Sequence, residues 1–397
     1  MIRRLTAAAC TVAALTGPAA AHAAEPLPPV VPAQQQQAAP SAGSWDDVGR
    51  RSGLPFDSGV FAHDVFNSDP GGGKVDGYER VTGRPVDLYQ IAPQREEGFG
   101  GLLSETDRIA KAMPDGVQVD WAFPLVSREE GAQLGTAICQ ATPNPYVRPG
   151  WEFNLSGSWD WTTDRIGDAA FVQGFRDSID GIRSTCPGIR AEWNPNSGQG
   201  GVEKAMQAWP GDEYVDVIGV DTYDWANEPS QVTMSGGIDE WAQVARDRGK
   251  KFSLPEWGAH GKQGRGDNPQ FVRDVMAALE KNSDVVVMAS YFSEDEGGYI
   301  DNEPEKQMPQ VGEALRSEFT RLAGTRRASD APALAQAPQT APQTAPQTAP
   351  AQAPQTAPQP APQDAAAAFA FLLDPTGRHA LRLTIGPDGR IHATPTR

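Results

Sequence analysis

Eight short runs rich in β-branched and aromatic residues recur along the middle of the chain, spaced roughly 30 residues apart. They begin at Ser58, Val86, Val117, Tyr146, Ile189, Val215, Lys251 and Val285. Amphipathic helical patterns separate most of these runs, most clearly over 171–186, 238–249, 271–281 and 311–322. Apolar strands joined by helices are typical of a parallel sheet covered by helices. Eight such units over 58–324 predict an α/β fold, a (β/α)8 TIM barrel, which usually takes about 250 residues.

A doubly wound sheet is the alternative architecture for alternating strands and helices. Its dinucleotide-binding version carries G-x-G-x-x-G directly after the first strand. No such motif follows the run that begins at Ser58. The sequence therefore favours the barrel.

The first residues have the composition of a targeting segment. Arg3 and Arg4 precede an Ala-rich apolar stretch, and small residues surround Ala23. This arrangement predicts a secretory signal peptide over 1–23. We therefore expect a secreted, extracellular protein.

Composition divides the rest of the 397 residues into four parts. Pro, Ala and Gln dominate 24–43, which predicts a disordered lead-in. All ten Trp residues fall within 44–324, which we interpret as the folded barrel domain. Residues 325–364 contain the repeat Ala-Pro-Gln-Thr, as in 337–348, which predicts a semi-rigid linker. Turn signals between short alternating runs in 365–397 fit a small C-terminal β-meander or a weakly ordered tail, of unknown role.

Charge and composition exclude several classes of function. The formal net charge of −17 disfavours binding to nucleic acid, which needs a basic surface, and docking on anionic membranes. No later run reaches the ~18 apolar residues of a membrane span. The sequence lacks H-E-x-x-H and G-x-S-x-G motifs, so we predict no metal, no cofactor and no serine-hydrolase elbow.

Polar and aromatic residues gather at the C-terminal ends of the predicted strands, where barrels carry their chemistry. These residues are His63, Gln90, Trp121, Glu152, Asn154, Trp193, Asn194, Asn196, Asp221, Tyr223, Glu256, Trp257 and Tyr291. Aromatic rings beside amides and acids suit a sugar, because its C–H faces stack on rings and its hydroxyls need polar partners. Trp residues also fill cores, and a packed core residue is the alternative reading of His63.

Two glutamates are the candidates for chemistry. Glu152 ends the fourth predicted strand and Glu256 ends the seventh, and these strands face each other across the barrel mouth. Glycosidic cleavage requires two opposed carboxyl groups. Aromatic neighbours disfavour the ionised form and raise the pKa of such a group. An ion pair, for instance with Arg148, is the competing explanation for either glutamate taken alone.

Three motifs resemble glycoside hydrolase family 26. They are Arg148-Pro-Gly-Trp-Glu-Phe-Asn154 followed by Trp159-Asp-Trp161, Val217-Ile-Gly-Val-Asp-Thr-Tyr223, and Ser253-Leu-Pro-Glu-Trp-Gly258. The resemblance covers roughly 58–320. It implies a retaining (β/α)8 hydrolase with its acid/base residue on the fourth strand and its nucleophile on the seventh.

The resemblance implies a role for each matching residue. Glu152 is the expected acid/base, Glu256 the nucleophile, Trp159 or Trp161 the sugar-stacking ring, and Tyr223 the donor to the nucleophile. The remaining expected substrate-binding residues are Arg148, Trp151, Asn154, Trp257, Tyr291 and His63. Trp151 is a departure, because the best-known mannanases of the family carry His at this position. The segment between Asn154 and Trp159 also looks two residues longer than their usual pattern.

We therefore predict a monomeric enzyme acting on a polysaccharide, with endo-β-1,4-mannanase as the leading activity. β-1,3-Xylanase and mixed-linkage β-glucanase activities also occur in the family. Two other hypotheses are a non-catalytic carbohydrate-binding barrel and an envelope-associated protein in which the linker and tail matter more than the barrel.

A disulfide is the second structural expectation. Cys139 lies near the end of the predicted helix before the fourth strand, and Cys186 ends the helix before the fifth. In a barrel those helix ends are neighbours, and export permits oxidation.

Overall fold

The structure is a computed structural model. It describes residues 50–62, 73–93, 98–142, 144–198, 200–226, 230–294, 302–334, 371–373, 380–385 and 391–395. The chain divides into two compact units, Met1–Ala337 and Pro338–Arg397. The predicted signal peptide and the lead-in over 24–43 lie outside the described residues, as does the predicted linker from 335 onward.

Eight parallel strands of the first unit close into a barrel. They are β1 (Asp57–Phe61), β2 (Leu88–Ile91), β3 (Gln118–Phe123), β4 (Tyr146–Pro149), β5 (Arg190–Trp193), β6 (Val217–Gly219), β7 (Lys251–Gly258) and β8 (Val286–Tyr291). A two-residue continuation of β6, Thr222–Tyr223, pairs with the end of β7. Each strand pairs with the next, β8 pairs back onto β1, and the ring is complete. The predicted TIM barrel and its eight strands are confirmed.

Helices surround the barrel on its outside. They are α1 (Gly73–Thr82), α2 (Gly98–Ala112), α3 (Arg128–Ile138), α4 (Thr163–Ile166), α5 (Asp168–Thr185), α6 (Gly201–Met206), α7 (Ile238–Asp247), α8 (Pro269–Lys281) and α9 (Pro309–Leu334), with a 3-10 turn at Asp212–Tyr214. Helix α9 continues through 325–334, which the sequence analysis assigned to the linker. The proline-dense repeat starts only after this helix, and 325–334 contain one proline, Pro332.

The two faces of the barrel strands differ in character because side chains alternate along each strand. Outward-facing residues such as Phe252 and Leu254 are fully buried in one apolar core with residues of the helices. Several inward-facing residues are polar, although Leu88, on the same face of β2 as Gln90, belongs to a small separate apolar cluster with Tyr146, Val217 and Met288. Near the strand starts, the Tyr146 hydroxyl donates to Asp57 over 3.1 Å, and the Arg190 guanidinium lies over the Tyr146 ring at 4.9 Å. The interior thus contains hydrogen-bonded and charged groups beside this small apolar cluster.

Helices α3 and α5 pack at very short range because glycines line their contact. A side chain at Gly181 would lie 2.3 Å from the Arg128 carbonyl oxygen, and one at Gly135 would lie 2.5 Å from the Ile182 carbonyl oxygen. Cys139 and Cys186, the C-caps of the two helices, form a disulfide with a Cα–Cα distance of 5.8 Å. The predicted disulfide is confirmed.

The second unit contains three antiparallel strands, β9 (Phe371–Leu373), β10 (Ala380–Ile385) and β11 (Ile391–Pro395). Their order in the sheet follows the chain, which is the topology of a β-meander. In the part of the chain that the structure describes, no helix has the length and apolar character needed to cross a membrane.

The disulfide should contribute measurably to stability, since it closes a loop with a sequence separation of 47 residues. We expect a Cys139→Ser/Cys186→Ser variant to lose about 4 kcal/mol of unfolding free energy by the chain-entropy model. Urea unfolding of wild type and of the variant, both without reductant, measures the difference. Wild type reduced with dithiothreitol is the matched control. Two free thiols in the untreated protein, or equal unfolding free energies, would contradict the assignment.

Candidate active site

The two candidate glutamates meet at the C-terminal end of the barrel. Glu152 directly follows the turn after β4, and Glu256 lies in β7. Both are 8% exposed. One carboxyl oxygen from each, together with one from Asp221, lie within 4.8 Å of one another. The sequence expectation that these two residues share one site therefore holds in the structure.

A β-bulge in β7 turns Glu256 into the barrel. Leu254 pairs with Ala289 and Trp257 with Tyr291, so β7 has one residue more than β8 between these two pairs. Ser253 faces the interior, and strict alternation would put Trp257 there too. The extra residue reverses this, so that Glu256 faces inward and Trp257 outward.

The backbone of Glu152 adopts a left-handed conformation. Its φ is +52°, the only positive φ at a non-glycine position among the described residues. Gly150, two residues earlier, has φ +64°, and a side chain there would lie within 2.9 Å of Leu125 and Phe171. The Glu152 N–H donates to the Asn194 carbonyl oxygen over 2.7 Å, which fixes the turn to β5. Such a conformation costs about 1–3 kcal/mol and is typical of functional sites.

Two donors orient the Glu152 carboxyl group. The Asn196 side-chain amide donates to Oε1 over 2.6 Å, and the Trp159 indole N–H donates to Oε2 over 3.4 Å. Asn196 is itself held by Asn154, whose side-chain oxygen and nitrogen each bond to the Asn196 backbone over 2.8 Å. Asn154 therefore supports a partner of Glu152 from a buried position.

Burial raises the pKa of Glu152 to about 7. The negative charge of Glu256 adds to this effect, whereas the hydrogen bonds from Asn196 and Trp159 oppose it because they favour the charged form. A carboxyl group with this pKa can both donate and accept a proton near neutral pH.

Three donors position the Glu256 carboxyl group. The Gln90 amide and the Arg148 guanidinium both donate to Oε1, over 2.8 and 3.0 Å, and the Tyr223 hydroxyl donates to Oε2 over 3.2 Å. Burial and the charge of Glu256 hold the pKa of Tyr223 well above its ordinary value. Tyr223 therefore remains a phenol donor.

Arg148 is the fully buried cation of the site. Its guanidinium contacts Asp120 at 2.9 Å, Glu256 at 3.0 Å and Asp221 at 3.8 Å, and donates to the Asn194 side chain over 2.7 Å. An ion pair with Arg148 was the competing explanation for Glu256. That ion pair is present, and it is part of the same site. Glu152, Asp221 and Glu256 have the spacing of metal ligands, but the positive charge facing two of them is Arg148.

Two aromatic clusters flank the glutamates. On the Glu152 side, the rings of Trp159 and Trp161 stack nearly parallel at 5.3 Å, and Trp151 packs against Trp161 at 4.5 Å. Trp159 and Trp161 are half-buried, whereas Trp151 is buried. On the Glu256 side, the second cluster comprises Phe61, Phe292, Tyr223 and Trp225.

Two residues expected to bind substrate lie elsewhere. Trp257 is 1% exposed and packs against Phe271 of α8, and Tyr291 is fully buried against Trp257 and Tyr78 of α1. Both rings belong to the core between barrel and helices, so we do not retain them as substrate-binding candidates. His63 lies outside the described residues.

Sequence reasoning missed two acids beneath the glutamates. Asp120 of β3 and Glu192 of β5 are fully buried in the barrel interior. Burial raises the pKa of Asp120 to about 6 and that of Glu192 well above its ordinary value. The available signal was the presence of a single acid inside each of two short, fully buried strands.

Loss of the Asn196 amide should raise the pKa of Glu152 further, because that hydrogen bond favours the ionised form. In Asn196→Ala we expect a rise from about 7 to about 8. Carbon-13 NMR titration of the glutamate carboxyl carbons measures this, with Glu152→Gln to assign the signal. Gln243→Ala removes an exposed amide–carboxylate bond far from the site and serves as control. An unchanged or lower pKa in Asn196→Ala would contradict the electrostatic account.

Comparison with known proteins identifies solved structures with the same fold. No family model and no curated protein matches the sequence. A modular endo-β-1,4-mannanase from Cellulomonas fimi is 18% identical with a TM-score of 0.50, over 70% of this chain and 72% of that chain. The catalytic domain of a glycoside hydrolase family 26 endo-β-1,4-mannanase from Bacillus sp. JAMB-750 is 12% identical with a TM-score of 0.51, over 70% and 88%. The chain therefore has a fold like that of family 26 mannanases.

Proposed function

We propose that this protein is a retaining glycoside hydrolase that cleaves a β-linked polysaccharide by double displacement. The observation that carries the proposal is the approach of two buried carboxyl groups, Glu152 and Glu256, to within 4.8 Å between oxygens. Retaining enzymes hold their carboxyl groups about 5–5.5 Å apart, whereas inverting enzymes leave room for a water at about 6.5–9.5 Å. The short separation supports a covalent mechanism.

In the first step, Glu256 attacks the anomeric carbon and Glu152 protonates the departing glycosidic oxygen. Oε1 of Glu256 already accepts two hydrogen bonds and Oε2 accepts one, so Oε2 has a lone pair left for attack. A Glu152 pKa near 7 means that much of this group carries its proton at neutral pH.

In the second step, Glu152 is a carboxylate and removes a proton from water. The water attacks the anomeric carbon from the face that the leaving group vacated and displaces Glu256, which restores the original configuration. The same pKa suits both halves of the cycle, because a group near 7 is an effective acid and an effective base near neutral pH.

The half-buried rings of Trp159 and Trp161 are the proposed stacking surface for sugar rings beside Glu152. Trp151 packs behind them and shapes that surface. Arg148 and Asn154 are buried and act through Glu256 and Asn196, respectively. They are positioning residues for the two glutamates.

The proposed substrate is a β-1,4-mannan. The motif resemblance and the fold shared with two endo-β-1,4-mannanases support this choice. β-1,3-Xylan and mixed-linkage β-glucan are the alternative substrates. The targeting segment over 1–23 and the Cys139–Cys186 disulfide support an extracellular enzyme.

A polysaccharide panel tests the activity. We expect reducing sugar to be released from mannan and galactomannan faster than from β-1,3-xylan, lichenan or cellulose, with a Glu256→Ala variant as the inactive control. Faster release from xylan or lichenan would reassign the substrate within the retaining mechanism. Binding to a glycan without release from any of the five would favour the non-catalytic carbohydrate-binding barrel.

Azide rescue tests the division of labour between the glutamates. In Glu152→Ala, an aryl glycoside with an acidic phenol should still form the covalent intermediate, because this leaving group needs no protonation. Azide should then release it as the β-glycosyl azide. In Glu256→Ala, azide occupies the vacated space, attacks directly and gives the α-glycosyl azide.

Proton NMR distinguishes the two azide products. Swapped stereochemistry between the variants would reverse the assigned roles. Activity close to that of wild type in both variants would exclude glycosidic cleavage at this site.

A further inference from the structure

Two buried carboxyl groups lie beside each other beneath the catalytic pair. They belong to Asp120 of β3 and Glu192 of β5, and both side chains are fully buried inside the barrel. Two ionised carboxylates have no donor and repel each other, whereas one proton between them would allow a hydrogen bond.

The surroundings of Asp120 and Glu192 supply few other donors. Apart from the guanidinium of Arg148, no N–H or O–H group in the described part of the chain donates to either oxygen of Asp120. Oε1 of Glu192 accepts from the Ser253 hydroxyl, and Oε2 has no N–H or O–H donor among the same residues. A shared proton satisfies the oxygens that the protein leaves without donors.

Charge balance in the barrel interior leads to the same result. Arg148 faces four acids, Asp120, Glu192, Asp221 and Glu256. If all four were ionised, the group would carry three uncompensated negative charges among largely buried side chains, which is strongly unfavourable. One proton on the Asp120–Glu192 pair removes one of those charges.

Other charged and titratable groups also face the pair. Glu152 lies above it near Glu256, while Tyr146 and Arg190 of β4 and β5 lie below, with Asp57 of β1 bonded to Tyr146. Burial raises the pKa of Asp120 to about 6 and that of Glu192 well above its ordinary value. At neutral pH the pair is therefore expected to hold one proton.

We propose that Asp120 and Glu192 share one proton as a singly charged pair, and that this pair positions Arg148 against Glu256. Asp120 holds one side of the guanidinium through Nε at 2.9 Å, and the other side reaches Glu256 through Nη2 at 3.0 Å. Because the pair carries only one negative charge, Arg148 keeps its contacts both with the pair and with Glu256. The inference that this tunes a nucleophile rests on the proposed function, whereas the shared proton does not.

The test uses amide variants of the full-length protein. Asp120→Asn and Glu192→Gln each replace the shared proton with an amide N–H and leave one carboxylate, so hydrogen bonding and charge both persist. Infrared difference spectra against wild type at neutral pH should show loss of the same protonated-carboxyl C=O band in both variants, with the carboxylate bands undiminished. Gln243→Ala serves as the control for the spectra.

Each alternative protonation state has its own spectrum. Loss of a carboxylate band in the single variants would mean that both groups are ionised. Loss of two different protonated-carboxyl bands, one in each variant, would mean that both are neutral. Either result overturns the shared proton, whether or not the protein cleaves a glycan.

Kinetics on the polysaccharide test the effect on Glu256. Each single variant keeps one negative charge beneath Arg148, so its kcat should fall less than that of the double variant. The double variant removes the anion beneath Arg148 and should lower kcat by about tenfold or more at unchanged KM, since the guanidinium then withdraws more charge from Glu256. A folded double variant with wild-type kcat would overturn the positioning role. Failure of wild type to cleave any polysaccharide would refute the proposed function and leave the spectra decisive for the pair.

Discussion

The site depends on one buried guanidinium. Arg148 is fully buried, and Asp120, Asp221 and Glu256 surround it on three other strands or strand ends. Placing several carboxyl groups inside a barrel is costly unless a cation and hydrogen bonds compensate them. Arg148 is that cation, and its planar fork fixes the direction of each contact as well as the charge. Loss of this residue would leave the acids of the interior repelling one another.

Regular barrel geometry brings the strands together but does not orient the Glu152 and Glu256 side chains toward the site. Two local irregularities do so, the bulge in β7 at Leu254–Trp257 and the left-handed backbone at Glu152. Both cost conformational free energy, and both lie at the residues with the proposed chemistry. The strain is offset by contacts on either side, such as the hydrogen bond from the Glu152 N–H to Asn194.

Periodicity in the sequence was sufficient to predict the barrel, its eight strands and the meeting of Glu152 with Glu256. It failed at Trp257, because a bulge breaks the two-residue period and neither Pro255 nor its neighbours specify where the extra residue lies. Asn154 looked like a substrate contact, although its bonds go to the Asn196 backbone, a long-range partner that sequence spacing does not reveal. Asp120 and Glu192 lie on two strands that are not adjacent in the sheet, and only the closed ring shows that both face Arg148.

The central claim is that Glu256 forms a covalent bond to the sugar while Glu152 moves the proton. An activated 2-deoxy-2-fluoro glycoside of the matching sugar tests it most directly, because the fluorine slows hydrolysis of the intermediate and lets it accumulate. Mass spectrometry of the digested protein should then locate one fluoroglycosyl group on the peptide that contains Glu256. A label on Glu152, or inactivation without any covalent sugar, would contradict the account.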